Sequence, residues 1–152
     1  MKTKQWVLLV ALFATIASNN ATAQVITGND RDAHGCIASA GYTWSVVKKE
    51  CIRIFESGSE FLAYGSNKDE TWACFVVVSK DKKLAEVFLP STYMQGSVVL
   101  KACKKNKTIF ENKEKLVRID FSDNKYLVVV KNEAVFAQTY SKGEGFAKLI
   151  GK

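Results

Sequence analysis

The stretch Trp72-Ala73-Cys74-Phe75-Val76-Val77-Val78-Ser79, followed by Lys80-Asp81-Lys82-Lys83 and then Leu84-Ala85-Glu86-Val87-Phe88-Leu89, decides how the chain is read. Two runs rich in β-branched and aromatic residues flank a short charged segment. That is the pattern of a β-hairpin, because such side chains pack well on a pleated surface and a polar segment reverses the chain. The pattern then repeats downstream. Residues 97–103 and 108–111 flank Lys104-Lys105-Asn106-Lys107, residues 116–121 and 126–130 flank Ser122-Asp123-Asn124-Lys125, and residues 134–140 follow Lys131-Asn132-Glu133. Strands spaced this regularly, with no sustained 3.6-residue period and no helices to build βαβ units, predict an all-β fold. The expected architecture is an antiparallel meander of about seven to eight strands closing toward a small barrel, since closure removes exposed strand edges.

Upstream of the meander, residues 36–56 form a denser cysteine module. Its Tyr42/Trp44 and Ile52/Ile54 pairs have period two, which suits a disulfide-tied hairpin or a short helical turn followed by a strand. The segments around Ser57-Gly58-Ser59 and at 65–70 carry turn chemistry, and residues 24–35 read as an extended lead-in. At the N-terminus, Lys2 and Lys4 precede an apolar run over 6–16, and Ala21-Thr22-Ala23 supplies an A-x-A cleavage site. This predicts a signal peptide over 1–23, cleaved near Ala23, and a secreted or periplasmic protein. The apolar run is shorter than the roughly 20 residues that cross a bilayer, so an integral membrane protein is not expected. Residues 36–152 are expected to form a single β domain, and loss of Lys2 and Lys4 lowers the formal charge from +7 to +5.

All four cysteines lie beyond the cleavage site, and an oxidising compartment favours pairing. The expected bridges are Cys36–Cys51, across a short segment, and Cys74–Cys103, on two strands of one sheet. No C-x2-C spacing occurs and His34 is the single histidine, so a zinc site is disfavoured, as is any Ser-His-Asp or Cys-His catalytic pair that does not recruit His34. No metal or other cofactor is expected. His34, beside Asp32 and Gly35, reads as an exposed turn residue. Asp120 and Asp123 flank a turn rather than a pocket, and Gly143-Glu144-Gly145 lacks the spacing of a phosphate loop and reads as flexible punctuation. No catalytic residue is nominated, and an enzyme is not expected.

Charge is distributed unevenly. Residues 90–152 carry twelve Lys and Arg against six Asp and Glu, whereas 24–89 carry eight against nine. The functional reading is attraction to anionic glycan or lipid at the cell envelope; the plainer one is that lysines in hairpin turns keep the surface soluble and guard against aggregation. Export, scarce arginine and interleaved acidic residues disfavour nucleic acid. Among the aromatic residues, Trp72, Phe75, Phe88, Phe110, Phe121, Tyr126 and Phe136 fall inside strand patterns and read as packing residues. Tyr93 and Met94 sit in the 90–96 loop and are candidates for an exposed contact, unless that loop tucks over a barrel mouth.

The segment running from Gly35-Cys36 through Ser39-Ala40-Gly41-Tyr42, Trp44-Ser45 and Cys51-Ile52-Arg53 resembles a cysteine module of bacterial exported proteins. The hairpins that follow resemble the small barrel domain of periplasmic and membrane-bound inhibitors of c-type lysozyme. Those inhibitors present a Ser/Thr-Lys-Gly loop to the lysozyme active site. Ser141-Lys142-Gly143 matches those positions, while Ala137 stands where the family has an aromatic residue. The resemblance implies a non-enzymatic domain that binds a macromolecule at the envelope, with a lysozyme-like protein as partner and Ser141, Lys142 and Gly143 as its contact.

Overall fold

The computed structural model describes residues 30–152; the expected signal peptide and residues 24–29 lie outside the described residues. A small hairpin comes first, β1 (Thr43–Ser45) and β2 (Glu50–Ile52), followed by a single helical turn, α1 (Ile54–Ser57). Eight strands then run β3 (Ser59–Ala63), β4 (Ala73–Val78), β5 (Leu84–Phe88), β6 (Ser97–Ala102), β7 (Phe110–Asn112), β8 (Val117–Ser122), β9 (Lys125–Val130) and β10 (Glu133–Thr139), and a short helix, α2 (Gly145–Ile150), ends the chain. Strands β3 to β10 pair in sequence order, all antiparallel, and β10 returns to β3, giving a closed barrel. The seven strands expected from the hairpin pattern are all present. The eighth, β3, is an addition: it lies between the two segments read as turns and closes the ring.

Local chemistry sets the turns. Asp123-Asn124 and Lys131-Asn132 all have positive φ, and each pair is the whole connection between paired strand ends, Ser122↔Lys125 and Val130↔Glu133. Two-residue turns of this kind match the twist of the strands they join. In β10 a bulge between Ala134 and Phe136 turns both Val135 and Phe136 into the core. Elsewhere strict alternation operates: Cys74, Val76 and Val78 point inward from β4, Ala85 and Val87 from β5, and Val98 and Leu100 from β6.

The barrel interior is filled, and both ends are stopped. At one end α2 inserts Phe146, whose ring meets the rings of Phe61, Phe110 and Tyr126 edge-on at 5.0–6.0 Å between centroids. Gln138 of β10 seats this helix. Its carbonyl oxygen accepts the Phe146 N–H (2.7 Å), while its amide donates to Ser59 Oγ and the Glu60 carbonyl. Gly151 ends α2 in the left-handed region (φ 79°), with its N–H returned to the carbonyls of Ala147 and Lys148. Thus Gly143-Glu144-Gly145, read as flexible punctuation, leads into a helix. Six residues are too few to display a helical period, which is why the pattern gave no sign of it. At the other end Tyr93 and Met94 are half-buried against the core.

The cysteine module folds as the expected tied hairpin. Cys36 and Cys51 are bonded across 15 residues of sequence, and a loop of that size contributes about 3 kcal/mol in the chain-entropy account. The described part of the lead-in folds back on the module: Asp32 Oδ1 accepts the N–H groups of Cys36 and His34, and Asp30 accepts the N–H and Oγ–H of Ser39. These bonds hold both carboxyls below the ordinary aspartate range, chiefly through Ser39 for Asp30 and through the Cys36 N–H for Asp32. The second expected bridge does not form. Cys74 faces the barrel interior and Cys103 follows the far end of β6 on the outside, both as free thiols. The register explains it, because β5 separates the two strands, and Cys74 belongs to the end of β4 opposite the one that approaches Cys103.

Hydrogen bonding between the module and the barrel centres on one side chain. Glu86 is on the outer face of β5, yet it has no exposed surface. Its carboxylate accepts four bonds: Ser45 Oγ at 2.6 Å, Ser97 Oγ at 2.5 Å, and the N–H groups of Val46 and Val47 at 3.2 Å. Donors of this kind replace the water a buried carboxylate loses. We expect Glu86→Ala to reduce unfolding stability by about 3 kcal/mol or more, since it orphans several buried donors at once. Urea denaturation measures this, and a loss below about 1 kcal/mol would contradict it.

Candidate functional site

In an antiparallel meander successive connections alternate between the two ends of the barrel, so a turn residue's place in the chain determines the end it occupies. The end closed by α2 gathers the β4–β5, β6–β7 and β8–β9 connections together with residues 140–152. Lys80, Lys82 and Lys83 come from the first of these, Lys104, Lys105 and Lys107 from the second, and Lys142, Lys148 and Lys152 from the last. All nine are exposed, and the same segments supply three acidic side chains, Asp81, Asp123 and Glu144. The connections at the opposite end are close to balance, with Lys68, Lys113, Lys115 and Lys131 against Asp69, Glu70 and Glu114. The basic surplus assigned by sequence to the C-terminal half is therefore organised by barrel end, and it recruits Lys80, Lys82 and Lys83 from the N-terminal half.

Within this end, Ser141-Lys142-Gly143 forms a tied turn between β10 and α2. Ser141 Oγ donates to the Glu144 carboxylate (2.8 Å), the Glu144 N–H donates to the Ser141 carbonyl (3.2 Å), and the Gly143 N–H donates to the Lys152 carbonyl (2.9 Å). Gly143 has φ 75°, a conformation that costs glycine little and other residues more. The preceding Tyr140 ring packs against Phe121 and Tyr126, which fixes the base of the turn. Lys142 is thus exposed at the tip of a segment anchored on both sides.

Tyr93 and Met94 belong to the opposite end. The Tyr93 ring meets Phe136 at 5.4 Å and Trp72 at 6.3 Å, both edge-on, so this loop tucks over the barrel mouth. The five binding candidates from sequence therefore do not converge on one site. Ser141, Lys142 and Gly143 are together, and Tyr93 and Met94 act as packing.

The remaining titratable groups are dispersed. His34 is exposed and its ring stacks on Trp44, with centroids 4.3 Å apart and planes 9° from parallel. Asp120 pairs with Arg118 on the outer wall (3.4 Å), and Asp123 lies in the β8–β9 turn. Among the described residues no group of three or more His, Cys, Asp or Glu side chains is arranged to hold a metal ion. Burial pushes the Cys74 thiol far above its ordinary value; burial and then Glu111 raise that of Cys103. Neither is an activated nucleophile. We expect peptide mapping without reduction to yield a 36–51 linkage alone. Iodoacetamide should label Cys103 in the native protein and Cys74 only on unfolding, and a peptide joining 74 to 103 would refute this assignment.

No helix of the described residues is long and apolar enough to cross a membrane. No family model matches the chain, and no curated protein or solved structure matches it.

Proposed function

We propose that this protein is an exported, non-enzymatic binding domain that holds an anionic macromolecule of the cell envelope, a glycan or a lipid surface, against its lysine-rich end. The observation that carries this reading is the segregation of nine exposed lysines with three acidic side chains at that end. Clustered like charges raise the local potential and attract polyanions over distances set by ionic strength. Near an anionic lipid surface each lysine contributes about 1 kcal/mol. The closed barrel supplies a rigid platform, so little ordering entropy is lost on binding. Charged side chains on the outer wall, among them Lys101, Glu111, Arg118 and Asp120, suit a wall that faces water. The signal segment and the Cys36–Cys51 bond support export.

The test is retention of residues 24–152 on an anionic glycan matrix, beside cosedimentation with phosphatidylglycerol vesicles and with neutral phosphatidylcholine vesicles. Retention should fall steeply with salt, and the charge reversals Lys104→Glu with Lys105→Glu, or Lys142→Glu, should weaken it. The glycan and vesicle arms identify the source of the anion. Absent or salt-insensitive retention in both anionic arms would overturn the reading.

A second reading rests on the exposed, tied Ser141–Lys142–Gly143 turn, which suits insertion into a protein cleft in the manner of the lysozyme inhibitors that the chain resembles. It predicts inhibition of a c-type lysozyme that is weakened about tenfold or more by Lys142→Ala. Because such lysozymes are cationic, like charge would slow encounter, and added salt should speed association. The two readings thus differ in the sign of their salt dependence. No inhibition at micromolar protein would remove the second.

A further inference from the structure

The docking of the cysteine module on the barrel leaves a groove of about 680 Å³ beside it, away from the lysine-rich end. Its floor is the cross-strand pair Phe75 and Phe88 on the outer face of β4 and β5, which are directly opposite each other. One wall is Trp44, Val46 and Ile54 from the module, and the other includes Trp72. Its size is that of a small-molecule site. No lining residue is charged, and the hydroxyl-bearing ones are Thr43 and Ser97, the latter already donating to Glu86. The inserted part of any ligand must therefore be apolar and uncharged.

The walls are held from behind. The Trp44 ring is backed by His34 at 4.3 Å, and Trp72 is backed by the edge of Tyr93, which itself rests on Phe136 of the core. Val46 donates its N–H to Glu86 and is itself 52% exposed in the groove wall. Walls positioned in advance bind without paying the entropy of ordering. The turn that carries Val46 continues through Lys48 and Lys49, so cations stand on the segment that forms the groove's wall.

We propose that this groove is a ligand site for a single-chain anionic amphiphile, with its acyl chain lying between Trp44 and Trp72 over Phe75 and Phe88 and its anionic head toward Lys48 and Lys49. The site is separate from the lysine-rich end and stands or falls independently of the function assigned there.

Trp44 and Trp72 are the two tryptophans of residues 24–152, so intrinsic fluorescence reports on the groove directly. The experiment titrates the purified protein with the neutral probe N-phenyl-1-naphthylamine, then displaces it with palmitate. The expected result is saturable quenching of tryptophan emission at one probe per chain, reversed by palmitate. Ala73→Arg, which projects a long side chain into the groove from a half-exposed position, and Trp72→Ala should each weaken probe binding about tenfold or more, with the thermal midpoint of Ala73→Arg kept. Lys48→Glu with Lys49→Glu should weaken palmitate but spare the neutral probe, and Lys142→Glu should change neither. Non-saturable partitioning, or an affinity that neither groove variant alters, would overturn the proposal. So would concentration-dependent dimerisation abolished by Ala73→Arg, which would make a second copy of the chain the occupant.

Discussion

The arrangement of the molecule depends on the buried carboxylate of Glu86. A closed barrel with a packed interior can stand without an N-terminal module, and a disulfide-tied hairpin of this size has no core of its own. What makes them one unit is an acidic side chain on the outer wall whose oxygens accept bonds from Ser45, Ser97 and the Val46 and Val47 amides. Burying that group is favourable only with all its partners present, so the hairpin is held in one place rather than resting loosely on an apolar surface. Val77, directly opposite Glu86 on the neighbouring strand and also outward, is fully buried. The Cys36–Cys51 bond keeps the hairpin closed so that its turn amides stay aimed at the carboxylate.

From that anchor the two candidate surfaces follow. The module covers part of the β4–β5–β6 wall and leaves the Phe75–Phe88 pair half-buried at the floor of a groove beside it. At the far end, α2 seals the barrel with Phe146 and carries the chain back toward the turns that bear the lysines. One surface is thus an apolar groove, the other an exposed basic end, and the barrel between them separates the two chemistries.

The meander was legible because each hairpin combines β-branched runs with Lys-, Asn- and Asp-rich turns. Strand β3 was not, since Ser59–Ala63 is short and sits between glycine-containing segments whose turn chemistry dominates the pattern. Cysteine parity suggested a Cys74–Cys103 bridge, but the period-two alternation of β4 sends Cys74 inward, where it behaves as a small apolar residue. The lysine surplus was visible as a number, and its site was not, because turns that share a barrel end are distant in sequence. The same holds for the aromatics. Phe110, Tyr126 and Phe136 fill the core as the strand pattern implies, whereas Trp72, Phe75 and Phe88 line the outer groove. Their environment depends on where the module docks, and that is determined by Glu86, whose position on an outward strand face reads in sequence as an ordinary solvated carboxylate.

Hydrogen exchange of the Val46 and Val47 amides tests the Glu86 anchor most directly. With the module fixed as described, both amides exchange as slowly as those of the adjoining barrel strands, and Glu86→Gln accelerates them while leaving the β8–β9 amides protected. Exchange of Val46 and Val47 in the native protein at the rate of an open turn would contradict the account, because it would mean that the module is not held by that carboxylate.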